Sequence, residues 1–206
     1  MQPYKYIYGP VPSRRLGRSL GVDIIPFKTC SYDCVYCQLG HTTVHTTERG
    51  SWVSCSDVLS ELERFLRTDK PDVISFAGSG EELGDMIHGI KQMTDVPVAV
   101  FTNASLLWMP DVIEDLALAD IVSPSMDAAL PATAERINRP AGNMPLDVIL
   151  EGLTRFCNGY RWKFCWRRDS TTRRRTSLPW PRRPRNSGTL NASSSIPCAG
   201  LRLTAA

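Results

Sequence analysis

The segment Thr29–Cys37, TCSYDCVYC, sets Cys30, Cys34 and Cys37 at C-x3-C-x2-C spacing. Three of the seven cysteines thus fall within eight residues. Disulfides need pairs and an oxidising compartment, and three is an odd number. A structural zinc ion takes four ligands, and His41 and His45 are the nearest side chains that could complete a set. C-x3-C-x2-C is not a zinc-knuckle spacing, however, and no second C-x2-C is present. A 4Fe–4S cubane takes cysteine thiolates on its irons, and three cysteines would leave one iron open to a substrate.

The compartment bears on that choice. The N-terminus, MQPYKYIYGPVPSRRLG, lacks the basic-then-apolar order of a secretory signal. No run of about 18 apolar residues is present, so no membrane partner is expected. The expectation is a cytoplasmic protein with reduced thiols, in which clustered cysteines read as metal or redox ligands. Cys55, Cys157 and Cys165 are isolated and read as small core or surface residues.

The elements that must position the thiols alternate between two periods. GVDIIPF (21–27) reads as a first strand that runs into the cysteine loop. Val58, Leu59, Leu62, Phe65 and Leu66 then recur at helical spacing, with Ser54 and Asp57 at capping-box distance before them. DVISFAG (72–78), PVAVFTN (97–103) and DIVSPSMD (120–127) read as further strands. Helices are expected over 81–93, over 109–119 with Pro110 in the first turn, and over LPATAERI and 145–156. Strands alternating with helices imply an α/β fold of parallel βαβ units. Ligands gather at the carboxyl ends of such strands. The cysteines, GSGEE, TNAS and SPSMD all lie there.

In that loop, the three cysteines and the aromatic Tyr36 before the last of them resemble the signature of the radical S-adenosylmethionine superfamily. The wider stretch YGPVPSRRLGRSLGVDIIPFKTCSYDCVYCQLG resembles an uncharacterised subgroup related to the wybutosine-synthesising enzymes that modify transfer RNA. The resemblance covers about residues 4–160. It implies a partial TIM-type (β/α)6 barrel, here incomplete, with about four βα units. It also implies a 4Fe–4S cluster on Cys30, Cys34 and Cys37, whose open iron chelates S-adenosylmethionine. Reductive cleavage would then give a 5′-deoxyadenosyl radical that abstracts hydrogen from the substrate. Flavodoxin or ferredoxin would supply the electron, and RNA is a candidate substrate.

By the same resemblance Tyr36 packs on the adenine. FAGSGEE resembles a glycine–glutamate motif in which Gly78, Gly80 and Glu81 hold the methionine amino group. Relatives continue past Gly-Glu with Pro-Thr-Leu and more residues, whereas this chain goes straight to ELGDMI. FTNAS resembles a Thr-Asn-Gly turn in which Asn103 faces the methionine, with Ala104 in place of glycine, a strained choice if the turn needs positive φ. In SPSMDA, Ser125 and Asp127 would meet the ribose. Each also has a plainer reading: acids at a helix start for GSGEE, a turn asparagine for Asn103, helix capping for Asp127. Arg14 and Arg15, in an ordered turn before the first strand, could pair with an anionic substrate or with acids of the body.

Charge divides the chain. Residues 161–206 hold ten Arg, one Lys and one acid, Asp169, for a net of +10, while residues 1–160 hold 13 basic and 20 acidic residues, a net of −7. The chain is therefore expected to comprise a 1–160 core and a 161–206 basic tail that is disordered by composition. The tail reads either as an RNA-binding arm or as the product of a shifted reading frame, since relatives continue with further βα units. Three function classes remain: a radical enzyme, a truncated inactive relative that binds a cluster only, and a non-radical iron–sulfur or zinc protein.

Overall fold

The computed structural model of the protein describes residues 4–142 and 144–159. The expectations for residues 161–206, a disordered basic tail with at most a frayed strand near 160–166, lie outside the described residues. The first elements are β1 (Ile7–Ser13), β2 (Gly17–Val22), the two-residue strands β3 (Thr29–Cys30) and β4 (Val44–His45), and α1 (Cys55–Leu66). There follow β5 (Val73–Ala77), α2 (Leu83–Met93), β6 (Val98–Thr102), α3 (Pro110–Ala117), β7 (Ile121–Pro124), α4 (Pro131–Ile137) and α5 (Leu146–Gly159). None of the described helices is long and apolar enough to cross a membrane.

One sheet carries the order β1-β2-β5-β6-β7, in which β1 is antiparallel to β2 and every other pairing is parallel. A small parallel pair, β3 with β4, stands apart. The four parallel strands, each followed by a helix, are the four βα units that the alternation implied. Among the described residues the sheet is open, with β1 and β7 at its edges.

The register sorts side chains by size. Val22, Phe76, Val100 and Val122 align across all four parallel strands, and Leu20, Ile74 and Val98 align one row below. These residues are at most 1% exposed and belong to one core with Val58 and Leu62 of α1, Met86 and Ile87 of α2, and Val112 and Leu116 of α3. Because side chains alternate along a strand, the intervening row faces the other way. On β2, β5 and β6 it is small, Gly21, Ser75 and Ala99, and it ends in Ile121 on β7; the Ser19 and Ser75 hydroxyls lie 2.9 Å apart. The ring of Tyr8 crosses Gly21 so closely that a Cβ there would stand 2.1 Å from it.

Two elements differ from the sequence reading. GPVPSRR was read as a turn before the first strand, but residues 7–13 form β1, with its pairing interrupted between Tyr8 and Val11. Proline cannot donate to a ladder and is confined to edge strands and bulges, and β1 pairs on one side only. The first parallel strand is 17–22 rather than 21–27. Past Val22 the pairing with β5 ends, and Pro26 offers no N–H to extend it. Ser54 does cap α1, accepting from the Asp57 N–H at 3.4 Å, and Pro110 opens α3.

Candidate functional site

Parallel pairing brings four loops to one edge. Val22 lies beside Phe76, Ala77 beside Phe101, and Thr102 beside Pro124. The chain leaving each strand therefore enters the same end of the sheet, as expected of ligand sites in α/β proteins. A cleft of about 630 Å³ opens there, lined by residues that include Cys30, Cys37, Gly78, Ser79, Asn103, Phe27 and Trp52. Arg14 and Arg15 are not at this end: they precede Gly17, in the β1–β2 turn at the opposite edge.

Irregular backbone in the cysteine loop must find its hydrogen bonds outside its own strands, and it finds them at the last residue of α4 and in the segment that follows. Asp33 N–H donates to the carbonyls of Asn138 and Arg139 at 2.9 and 3.2 Å, Val35 N–H to Ile137 at 2.9 Å, and Ala141 N–H back to Ser31 at 2.8 Å. The buried carboxylate of Asp33 adds a second set, accepting from Thr42 N–H at 2.9 Å, His41 Nδ1 at 2.9 Å and Arg139 Nη1 at 3.2 Å. The Thr42 amide, ahead of Arg139 and His41, holds the Asp33 carboxyl below the ordinary range against the opposing cost of burial. His41 is thus occupied with Asp33, and His45 lies exposed in β4.

Each of the first two sulfurs meets an amide donor. Cys30 Sγ receives Tyr32 N–H at 3.4 Å and Asn103 Nδ2 at 3.6 Å, and Cys34 Sγ receives Asn138 Nδ2 at 3.3 Å. Burial pushes the Cys34 thiol up, the bonds from Asn138 and Tyr36 pull it back in part, and the nearby Asp127 carboxylate adds to the rise. Cys37 is exposed at the lip of the cleft. Tyr36 hydroxyl donates to Asp127, and burial together with that bond raises the phenol well above its usual value.

The other expected site residues divide. Gly78, in the cleft wall, has φ +96°, a conformation that strains any L side chain and favours glycine. Gly80 has no such demand, because its nearest would-be neighbours lie at 3.6 Å. Glu81 is exposed and Glu82 turns away to the Cys55 N–H at 2.7 Å and to Ser51. Asn103 reaches the cleft beside Cys30 and Ser31. Ala104 adopts φ +67°, the left-handed conformation in which its replacement of glycine is strained. Asp127 does not cap α4, whose N-cap residue is Leu130; it binds Tyr36 and Asn138 instead. Ser125 is exposed, its N–H bonded to Thr102 carbonyl at 2.8 Å.

Sequence reading missed Asn138 and Arg49. Asn138 is 4% exposed and joins Cys34, Tyr36 and Asp127 from a position 104 residues beyond the cysteine. The Arg49 guanidinium, 6% exposed, donates to the carbonyls of Ser79 at 3.0 Å and Gly80 at 2.7 Å and pairs with Asp111 and Asp115. Burial raises the Asp115 carboxyl even though Arg49 opposes the rise. Arg49 thereby fixes the loop after β5 to α3. Its place in the polar run HTTERGSW looks like solvated surface, so only the acids at 111 and 115 hint at a partner.

Among the described residues no three Cys, His, Asp or Glu side chains converge on one point, as a single bound ion would require. A cubane spreads its thiolates over separate irons. Two sulfurs with N–H donors, two cysteines on the cleft wall and a cleft of this size form a donor set that fits such a group. Residues 24–159 match the family model of the Radical SAM superfamily, and the chain belongs to that superfamily. It is 42% identical over 162 residues to a UPF0026 protein of Methanocaldococcus jannaschii, covering 75% of this chain and 50% of that protein. A UPF0026 protein of Synechocystis sp. is 43% identical over 156 residues, 73% of this chain and 58% of that one. A Brachyspira hyodysenteriae protein named GTPase Obg is 42% identical over 166 residues, 78% of this chain and 24% of that protein. The chain thus spans between a quarter and about three fifths of the length of these relatives.

Proposed function

We propose that the chain is a radical S-adenosylmethionine iron–sulfur enzyme holding a 4Fe–4S cluster on Cys30, Cys34 and Cys37. The observation that carries this reading is the delivery of Cys30 and Cys37, with Cys34 between them in the same loop, to a cleft at the carboxyl edge of four parallel strands in a chain of this superfamily. The chemistry such a cluster supplies when bound is one-electron cleavage of S-adenosylmethionine, giving a 5′-deoxyadenosyl radical that takes hydrogen from the substrate. The residues supply binding and order. Asn103 amide and the backbone at Gly78 flank the cleft for the methionine end. Tyr36 and Asp127, already paired, offer a ring and a carboxylate to the nucleoside. The apolar wall of Ile25, Phe27 and Leu106 limits water, which radical chemistry tolerates poorly. An RNA substrate, in line with a kinship to wybutosine synthesis, is proposed on the +10 charge of residues 161–206. A flavodoxin or ferredoxin is the proposed electron donor, and the cytoplasm the proposed compartment.

A second reading, a chain that holds the cluster without cleaving S-adenosylmethionine, is favoured by one observation. The cleft wall from the β5 loop ends at Ser79, and neither Glu81 nor Glu82 lines it. Anaerobic reconstitution tests both. Iron and sulfide at four each per chain, lost in Cys30→Ala, Cys34→Ala and Cys37→Ala, support the site. 5′-Deoxyadenosine released on reduction with S-adenosylmethionine supports the enzyme, and its absence with a full cluster supports the second reading. Tetrahedral zinc, or a cluster surviving Cys34→Ala, overturns the assignment.

A further inference from the structure

Iron–sulfur potentials respond to hydrogen bonds on the ligand sulfurs. We propose that Asn138 and Asn103 set the reduction potential of the cluster held by Cys30, Cys34 and Cys37, by donating side-chain N–H bonds to Cys34 and Cys30. The inference rests on the proposed cluster site and gives these two asparagines a role toward it.

The orientation of both amides follows from their partners. Asn138 Nδ2 lies 2.9 Å from Asp127 Oδ2, and an ionised carboxylate only accepts, so the NH2 group and not the carbonyl faces that cluster of atoms. One proton satisfies Asp127. The other points between Cys34 Sγ at 3.3 Å and Tyr36 oxygen at 3.4 Å. The Tyr36 hydroxyl bonds Asp127 and also meets the Cys34 sulfur, so Asn138 and Tyr36 flank that sulfur together. Asn103 Oδ1 accepts from Ser105 N–H at 3.1 Å and from Ser105 Oγ at 2.7 Å. Its Nδ2 is therefore directed at Ser31 Oγ, 2.9 Å away, and Cys30 Sγ, 3.6 Å away. Ser31 and Ser105 hydroxyls, 2.6 Å apart, close that network.

Neither asparagine stands on the cysteine loop. Asn138 follows α4 and Asn103 follows β6, so each is anchored by a different part of the frame, and Asn138 is almost fully buried. A donor fixed in a dry position does not reorient when charge is added to the sulfurs. It therefore favours the more negative, reduced state, and its removal makes reduction harder. Asn138 is the stronger of the two. Its sulfur contact is shorter, whereas Cys30 keeps the Tyr32 N–H when Asn103 is lost.

The test is a redox titration of the reconstituted full chain, followed by electron paramagnetic resonance, with iron and sulfide measured on each sample. Asn138→Leu keeps the branched outline of the side chain and removes the donor. It is expected to retain the iron content while the reduced-to-oxidised ratio at a fixed potential falls about tenfold, which is 59 mV for a one-electron couple. Asn103→Leu is expected to shift the ratio in the same direction by less. Asn138→Gln, which keeps an amide donor, is expected to recover most of the wild-type ratio. Full iron with an unchanged ratio in Asn138→Leu overturns the inference. So does loss of the cluster from a folded Asn138→Leu or Asn103→Leu chain, because the asparagines would then build the site rather than tune it. A folded wild-type chain that takes up no iron and sulfide refutes the cluster reading itself, and the two failures are told apart by that control.

Discussion

The sheet with its helices and the cysteine segment of residues 23–54 are held together by opposite means. In the frame, Leu20, Leu62, Ile74, Phe76, Ile87, Val98, Val100 and Leu116 show no exposed surface. Their attachment is non-directional burial spread over many neighbours. The cysteine segment has only two two-residue strands, and it exposes Phe27, Val35, Tyr36, Leu39 and Val44. Apart from Ile24 and Tyr32, which enter the core, it is fixed by directional bonds to a few groups: Asp33 to Thr42 and Arg139, Ser31 to Ser105, Arg49 to the β5 loop. A segment held this way depends on single polar anchors such as Asp33 and Arg49, while the frame rests on many apolar neighbours.

The largest expected effect is in the frame. Phe76→Ala leaves a cavity in the row that crosses all four parallel strands and should cost about 3–5 kcal/mol. That is a large share of the ~5–15 kcal/mol of a typical domain. Denaturant unfolding of the iron-free chain would show the midpoint fall. Cys34→Ala, in the polar segment, should shift the same midpoint by about 1 kcal/mol or less while abolishing the cluster. If the two substitutions destabilise equally, the cysteine segment is part of the core and the contrast collapses.

Arg49→Gln comes next. It leaves the carbonyls of Ser79 and Gly80 without their charged donor and Asp111 beside Asp115 without a cation between them. A fully buried pair broken in this way costs about 3–5 kcal/mol and an exposed one under 1. Asp111 is half exposed, so about 2 kcal/mol is expected, read as a urea midpoint, with faster proteolysis in the 78–82 loop. An unchanged cleavage rate there would show that Arg49 does not hold the loop.

The same contrast explains what was legible. Helices α1, α2, α3, α4 and α5 and strands β5, β6 and β7 follow apolar periodicity, because burial of one face leaves a repeating mark in the sequence. So did the convergence of four loops at one edge, which parallel pairing dictates. Strand β1 was hidden because Pro10 and Pro12, read as turn residues, are tolerated on an edge. Asn138 and Arg49 were hidden for a different reason. A single directional bond across a long sequence separation has no period, and the residue that makes it looks like any polar loop position. Glu81 is exposed and does not line the cleft, although the motif is present in letters.

Acid should loosen the polar segment before the frame. Asp33 has a folded pKa lowered chiefly by the Thr42 N–H. Its contribution is therefore fully present above the unfolded carboxylate value of about 3.9 and is lost as pH falls from there through the folded value. The iron-free chain should lose stability across that window below pH ~4, and Asp33→Asn should show a smaller loss over the same window. Hydrogen exchange of the Thr42 and Val35 amides, followed against pH, would locate the change. A wild-type and an Asp33→Asn chain with parallel acid profiles would remove Asp33 from the account.

The smallest expected effect isolates backbone strain from burial. Ala104 is fully buried at φ +67°, whereas Ala134 is buried within α4. Replacing Ala134 by Gly removes a methyl worth about 0.8 kcal/mol and incurs about 1 kcal/mol of helix propensity, for a loss of ~2 kcal/mol. Replacing Ala104 by Gly removes a similar methyl and frees the unfolded chain by about 0.5–1 kcal/mol. It also relieves about 1–2 kcal/mol of left-handed strain. The terms cancel, and Ala104→Gly should fall within ~0.5 kcal/mol of wild type by denaturant midpoint. A cost equal to that of Ala134→Gly would mean that Ala104 carries no strain. In that case the tolerance of alanine in this turn lies in the Thr102 hydroxyl that accepts its N–H at 3.2 Å, and not in a balance between backbone and packing.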